Sequence, residues 1–66
     1  MIVSEIRSLF YPEQKVIIRL IYRNANPDKI LYVGKFGELK NNEILCRVIG
    51  NMYTRDDGFL SISCVV

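Results

Sequence analysis

Lys15-Val16-Ile17-Ile18-Arg19-Leu20-Ile21-Tyr22-Arg23 is the stretch on which the fold turns. Successive side chains of a strand point to opposite faces. Val16, Ile18, Leu20 and Tyr22 therefore share one side, an unbroken apolar set suited to a core. Lys15, Ile17, Arg19, Ile21 and Arg23 share the other, where charge alternates with branched aliphatics. A purely solvated face would not carry Ile17 and Ile21 between its cations.

Working outward, Ser4 to Phe10 reads as a short helix. Ser4 can accept a hydrogen bond from a first-turn amide, and Glu5 sits near the positive end of the helix. Ile2, Ile6, Leu9 and Phe10 follow the spacing of one apolar face. Pro12 stops the helix, because it pushes Tyr11 out of the α region. Two turns are not stable alone in water, so this helix must dock on the sheet.

Asn24-Ala25-Asn26-Pro27-Asp28 is a loop by composition. Ile30 to Phe36 forms a second strand, with Leu31, Val33 and Lys35 opposed to Ile30, Tyr32, Gly34 and Phe36. Gly34 suggests a bulge or a close approach of another backbone. Asn41 or Asn42 can cap one helical turn through Leu45. Val48 to Tyr53 is a third strand, Arg55-Asp56-Asp57-Gly58 a hairpin turn, and Phe59 to Val65 a fourth strand. The expected architecture is one α+β domain over residues 1–66, a short N-terminal helix on an antiparallel sheet of about four strands. A small curled β-barrel is the alternative, with Gly34 and Gly50 marking strand bends.

Sixty-six residues bury only about 60% of the surface an unfolded chain exposes, so the core needs support. Disulfides, a metal or a partner subunit usually supply it at this size. There is no His, and the two Cys stand far apart in sequence, which does not make a zinc site. Cys46 and Cys64 both lie in apolar runs, so buried, reduced thiols are favoured over a disulfide. Self-association as a homo-oligomer is the remaining support. No apolar run approaches membrane-spanning length, and Met1 to Arg7 does not read as a secretory signal. The expected location is cytoplasmic. A net charge of +2 is too small to argue for a nucleic-acid partner by itself.

The same inventory speaks against catalysis. Without histidine the commonest general base is missing, and the seven acids form no catalytic motif. Asp56-Asp57 is better explained by the turn than by a metal. Gly34-Lys35-Phe36-Gly37 lacks the spacing of a phosphate loop. The chain is expected to be non-enzymatic and to need no cofactor.

Binding is then the expected work. If the helix covers one sheet face, the other is expected to carry Arg19, Arg23, Tyr32 and Phe36. The last two strands add Arg47, Asn51 and Tyr53, then Phe59, Ser61 and Ser63. Arginines beside aromatics suit an anionic, ring-bearing ligand such as a nucleotide. The same face can instead be a second core or a dimer seam, with the arginines reaching outward. That reading is favoured, because a one-residue slip moves a whole strand to the other face.

From Lys29 onward a pattern emerges: Lys29-Ile30-Leu31-Tyr32-Val33-Gly34-Lys35, Glu38-Leu39, Val48-Ile49, then Asp56-Asp57-Gly58-Phe59-Leu60-Ser61-Ile62. With the opening Val3-Ser4-Glu5-Ile6, it resembles small uncharacterised accessory proteins of bacteriophages and prophages. The resemblance spans most of the chain and carries over no ligand-binding residue. It implies a binding protein of the bacterial host cell that inhibits an anti-phage defence system. Such a protein blocks a host defence protein or sequesters a nucleotide immune signal. The alternative is a nucleic-acid-binding accessory or regulatory protein of a phage or mobile element.

Overall fold

The computed structural model of the chain describes residues 1–22 and 27–65. In chain order it contains helix α1 (Val3–Arg7), strand β1 (Lys15–Ile21), strand β2 (Lys29–Lys35), a 3-10 turn (Phe36–Glu38), helix α2 (Asn42–Leu45), strand β3 (Ile49–Thr54) and strand β4 (Leu60–Val65). The α+β class and the four strands are as the sequence indicates. The sheet order is β2-β1-β4-β3, an open sheet whose edges are β2 and β3, so the barrel alternative is set aside. β1–β2 and β3–β4 are antiparallel, whereas the central pair β1–β4 is parallel. A parallel pair cannot be closed by a hairpin and requires a crossover. Residues 36–48 supply one, running over the same sheet face as α1.

The N-cap of α1 is Ile2, two residues before the expected cap Ser4. The Ile2 N–H donates to Glu5 Oε1 at 2.9 Å, and no side chain caps the turn from position 4. Tertiary pairing decides this start. Ile2 bridges Val48, the Val3 N–H donates to Arg47 O at 3.1 Å and the Ile49 N–H to Met1 O at 2.9 Å. The helix accordingly turns Val3 and Ile6 inward, while Leu9 stays 74% exposed rather than docked. Phe10 reaches back to the core, its ring centroid 6.2 Å from that of Phe36.

The core forms where the helical face meets alternate strand residues. Val16, Ile18 and Leu20 of β1 and Leu60, Ile62 and Cys64 of β4 form the floor. Val3, Ile6, Phe36, Leu39, Ile44 and Leu45 cover it. Two bonds lock the 3-10 turn down: Phe36 N–H to Gln14 O at 2.8 Å and Gly37 N–H to Pro12 O at 2.9 Å. The Arg7 guanidinium ties α1 to the crossover through the Leu39 carbonyl. Asn41 caps α2, its side chain accepting from Glu43 N–H at 2.9 Å, as the sequence suggested.

Gly34 marks neither a bulge nor the approach of another backbone, but the approach of a side chain. The Tyr32 phenol passes over it, 3.1 Å from where a Cβ would stand, and donates to Lys35 O at 2.6 Å. Burial, and then the charge of Glu38, raise that phenol's pKa above its ordinary value. The register shifts lie elsewhere, at Ile18/Arg19, opposite Tyr32 and Ile30, and at Ile49/Asn51, where Gly50 sits. The β3–β4 turn is held by Asp57, which accepts from Phe59 N–H at 3.1 Å and pairs with Arg55 at 2.9 Å.

Both thiols are free, but only Cys64 is buried; Cys46 is exposed at the end of α2, which corrects the expectation of two buried cysteines. Burial pushes the Cys64 thiol pKa up, with the charge of Arg47 drawing it partly back. As pH rises the unfolded chain loses this proton first. The contribution to stability is therefore full below the ordinary thiol range and lost as pH climbs through the raised value. Thiol labelling under native conditions is expected to modify Cys46 at once and Cys64 only at the rate of unfolding. Equal rates at the two positions would contradict the burial of Cys64.

Candidate functional site: the open face of the sheet

All the helical elements share one face, so the other is left without a covering element among the described residues. β1 turns Val16, Ile18 and Leu20 inward and thus presents Lys15, Ile17, Arg19 and Ile21 outward. Register carries the rows across the sheet. Val33, Ile17, Ser61 and Tyr53 lie side by side, followed by Arg19, Ser63 and Asn51, then Ile21 and Val65. At the opposite end Lys15 pairs with Lys35, and its ammonium sits 5.8 Å from the centroid of the Phe59 ring.

The face carries aliphatics along β1 with Arg19 set between them, and Lys15 and Lys35 at one end. Val33 is 54% exposed and Tyr53 50% exposed, both large for residues with no contact to make in water. Ser61 is buried, at 1% exposure, and its Oγ has no hydrogen-bond partner among the described residues. A short side chain on a central strand, with Ile17 and Tyr53 as its cross-strand neighbours, is shielded by them. A buried hydroxyl without a partner costs about 1–3 kcal/mol, so this small polar spot is the one imperfectly satisfied position on the face.

The structure divides the residues expected to act together. Arg19 and Tyr53 lie on the open face, with Asn51, Phe59, Ser61 and Ser63. Tyr32 and Phe36 do not. Tyr32 pairs with the core residue Ile18 and packs towards the helices, and Phe36 is fully buried in the 3-10 turn. The expected parity of β2 is thus shifted by one, and Val33 and Lys35 take the open face instead. Their signal in the sequence was present in the alternation Val33-Gly34-Lys35, but the neighbouring Ile30-Leu31-Tyr32 obscured it. Arg47 follows α2 and lines a cleft of about 380 Å³ on the helical side, between α2 and the β1–β2 end, with Tyr22, Lys29, Asn41 and Glu43. Arg23 lies outside the described residues.

No group of three or more Cys, Asp and Glu side chains comes together to hold a metal ion among the described residues. No helix among them is long and apolar enough to cross a membrane. No protein-family model, curated protein or solved structure matches the chain.

Proposed function

We propose that this chain is a non-catalytic binding protein that works stoichiometrically, by seating the open face of its sheet on another protein. The observation that carries this is the row Val33–Ile17–Ser61–Tyr53, exposed at Val33 and Tyr53, with Ile21 and Val65 beyond the polar row of Arg19, Ser63 and Asn51. Exposed apolar side chains gathered on one uncovered face mark an interaction site. The likeness to phage and prophage accessory proteins makes a host defence protein the target class, and the chain an inhibitor of it in the bacterial cytoplasm.

The nucleotide-sequestering version rests on a different place, the cleft holding Tyr22, Lys29 and Arg47. Its volume is within the range of about 300–1,000 Å³ for small-molecule sites, and a ring beside two cations suits a ring-bearing anion. Expression in hosts that each carry one defence system separates the versions by plaque counts. The chain is expected to restore plating on a defended host, and Val33→Asp to abolish that restoration while Arg47→Ala leaves it intact. Restoration that survives Val33→Asp but is lost with Arg47→Ala assigns the activity to the cleft. No restoration on any host overturns the inhibitor reading.

A further inference from the structure

The charges of this chain are sorted by element. Four of its nine cations, Lys15, Arg19, Lys29 and Lys35, stand on strands, and none of its seven acids does. The acids sit on the helices, the connections and the β3–β4 turn. The sheet therefore carries +4 and the rest of the chain −2, within a net charge of only +2. Three of the four strand cations, Lys15, Arg19 and Lys35, are on the open face by register.

We infer that the open face docks a protein surface whose acidic side chains, set among apolar ones, meet Arg19 and the Lys15–Lys35 end. This rests on the reading that the open face is the working surface and specifies what it takes. A second copy of the chain fits poorly, because it would set these cations against their own kind, with Arg19 in the middle of the contact. Opposed like charges at an interface cost several kcal/mol, whereas complementary ones steer association and exclude wrong partners. A single-stranded nucleic acid would satisfy the charges, but it also needs ring faces on which bases stack. The Phe59 ring is already occupied by the Lys15 ammonium, and apart from Tyr53 the apolar residues of the face are aliphatic: Ile17, Ile21, Val33 and Val65. Branched aliphatics pack against other aliphatics, so the matching partner is a protein.

The test uses the ¹⁵N-labelled full chain and a synthetic peptide with a leucine-rich centre flanked by glutamates. A matched peptide with lysines in place of the glutamates and an oligothymidylate serve as competitors. Amide shifts are expected at Lys15, Arg19, Val33 and Ser63 with the acidic peptide, fading as salt is raised, and none with the lysine peptide. Arg19→Glu is expected to weaken the acidic peptide by about tenfold or more. Lys35→Glu, at an exposed edge position, repeats the test if Arg19→Glu does not fold. Lys40→Glu, the same charge change off the face, is expected to stay within about twofold. Equal weakening by Lys40→Glu, equal binding of the two peptides, or tighter binding of the oligothymidylate to these residues would overturn the acidic-partner inference. Those results would leave the docking face itself standing if Val33→Asp still abolishes plaque recovery. Shifts at the same residues on simple dilution would show that a second copy covers the face, and both readings would fall.

Discussion

Phe36→Ala is expected to remove about a third or more of the stability of the fold. Phe36 is fully buried between the strands and the N-terminal segment, touched by Phe10 and anchored through its own N–H to Gln14. Truncating a buried Phe costs about 3–5 kcal/mol, from lost burial and from the cavity left behind. A chain of this size has a total stability of roughly 3–10 kcal/mol, at about 0.05–0.15 kcal/mol per residue. One substitution thus removes much of what holds the fold. Tyr53→Ala, on the exposed face, is expected to cost less than about 1 kcal/mol. Urea denaturation followed by circular dichroism measures both. If Phe36→Ala shows a midpoint close to that of the unaltered chain, Phe36 does not hold this core together. The contrast matters for function, because the sequence alone placed both aromatics in one binding face. Loss of activity in Phe36→Ala would report unfolding, whereas loss in Tyr53→Ala would report the surface.

The reason the two aromatics looked alike is specific to β2. Along β1, charged Lys15 and Arg19 alternate with Val16, Ile18 and Leu20, so the inward set is readable without any partner strand, and the structure keeps it. In β2 four consecutive residues, Ile30 to Val33, are all apolar, and their parity depends on which residue of β1 each one meets. That pairing is long-range: Tyr32 falls opposite Ile18, and the register shift beside it leaves Ile30 opposite Arg19. The Asp57-Gly58 turn and the Asn41 cap were legible because each acts through its nearest neighbours in the chain. The parallel β1–β4 pair was not, since nothing local distinguishes the strand that will lie beside β1 from the one that will form the edge. Arg47 was read as a strand residue, but the last turn of α2 holds it on the helical side, with its N–H on Ile44 O. The half of the candidate face contributed by β1 and β4 was thus recoverable from alternation, and the half contributed by β2 was not.

Gly37→Ala is the second substitution expected to have a large effect, and it acts without touching a large side chain. An added Cβ would stand 2.5 Å from Pro12 Cβ and 2.9 Å from Pro12 Cα. One of these neighbours is backbone and the other belongs to a rigid ring, so neither can rotate away. Relief requires the Pro12 segment and the 3-10 turn to part, which strains the bonds from Gly37 N–H to Pro12 O and from Phe36 N–H to Gln14 O. Overpacking of this kind typically costs about 1–3 kcal/mol. In a domain of this length each kcal/mol lowers the melting temperature by about 4–8 °C. Gly58→Ala provides the control. Gly58 has φ of 87° and open space around its Cβ position, so only backbone strain is added there, about 1–2 kcal/mol. Calorimetric melts of the two variants separate crowding from strain. Crowding at Gly37 should be partly relieved by a second change, Pro12→Gly, which removes the Cβ that stands 2.5 Å away, when judged against Pro12→Gly alone, and Gly58→Ala should gain nothing from it. If Pro12→Gly does not help Gly37→Ala, the crossover is not seated on Pro12. The position of Lys35, one residue before Phe36 on the open face, would then no longer be fixed by that contact.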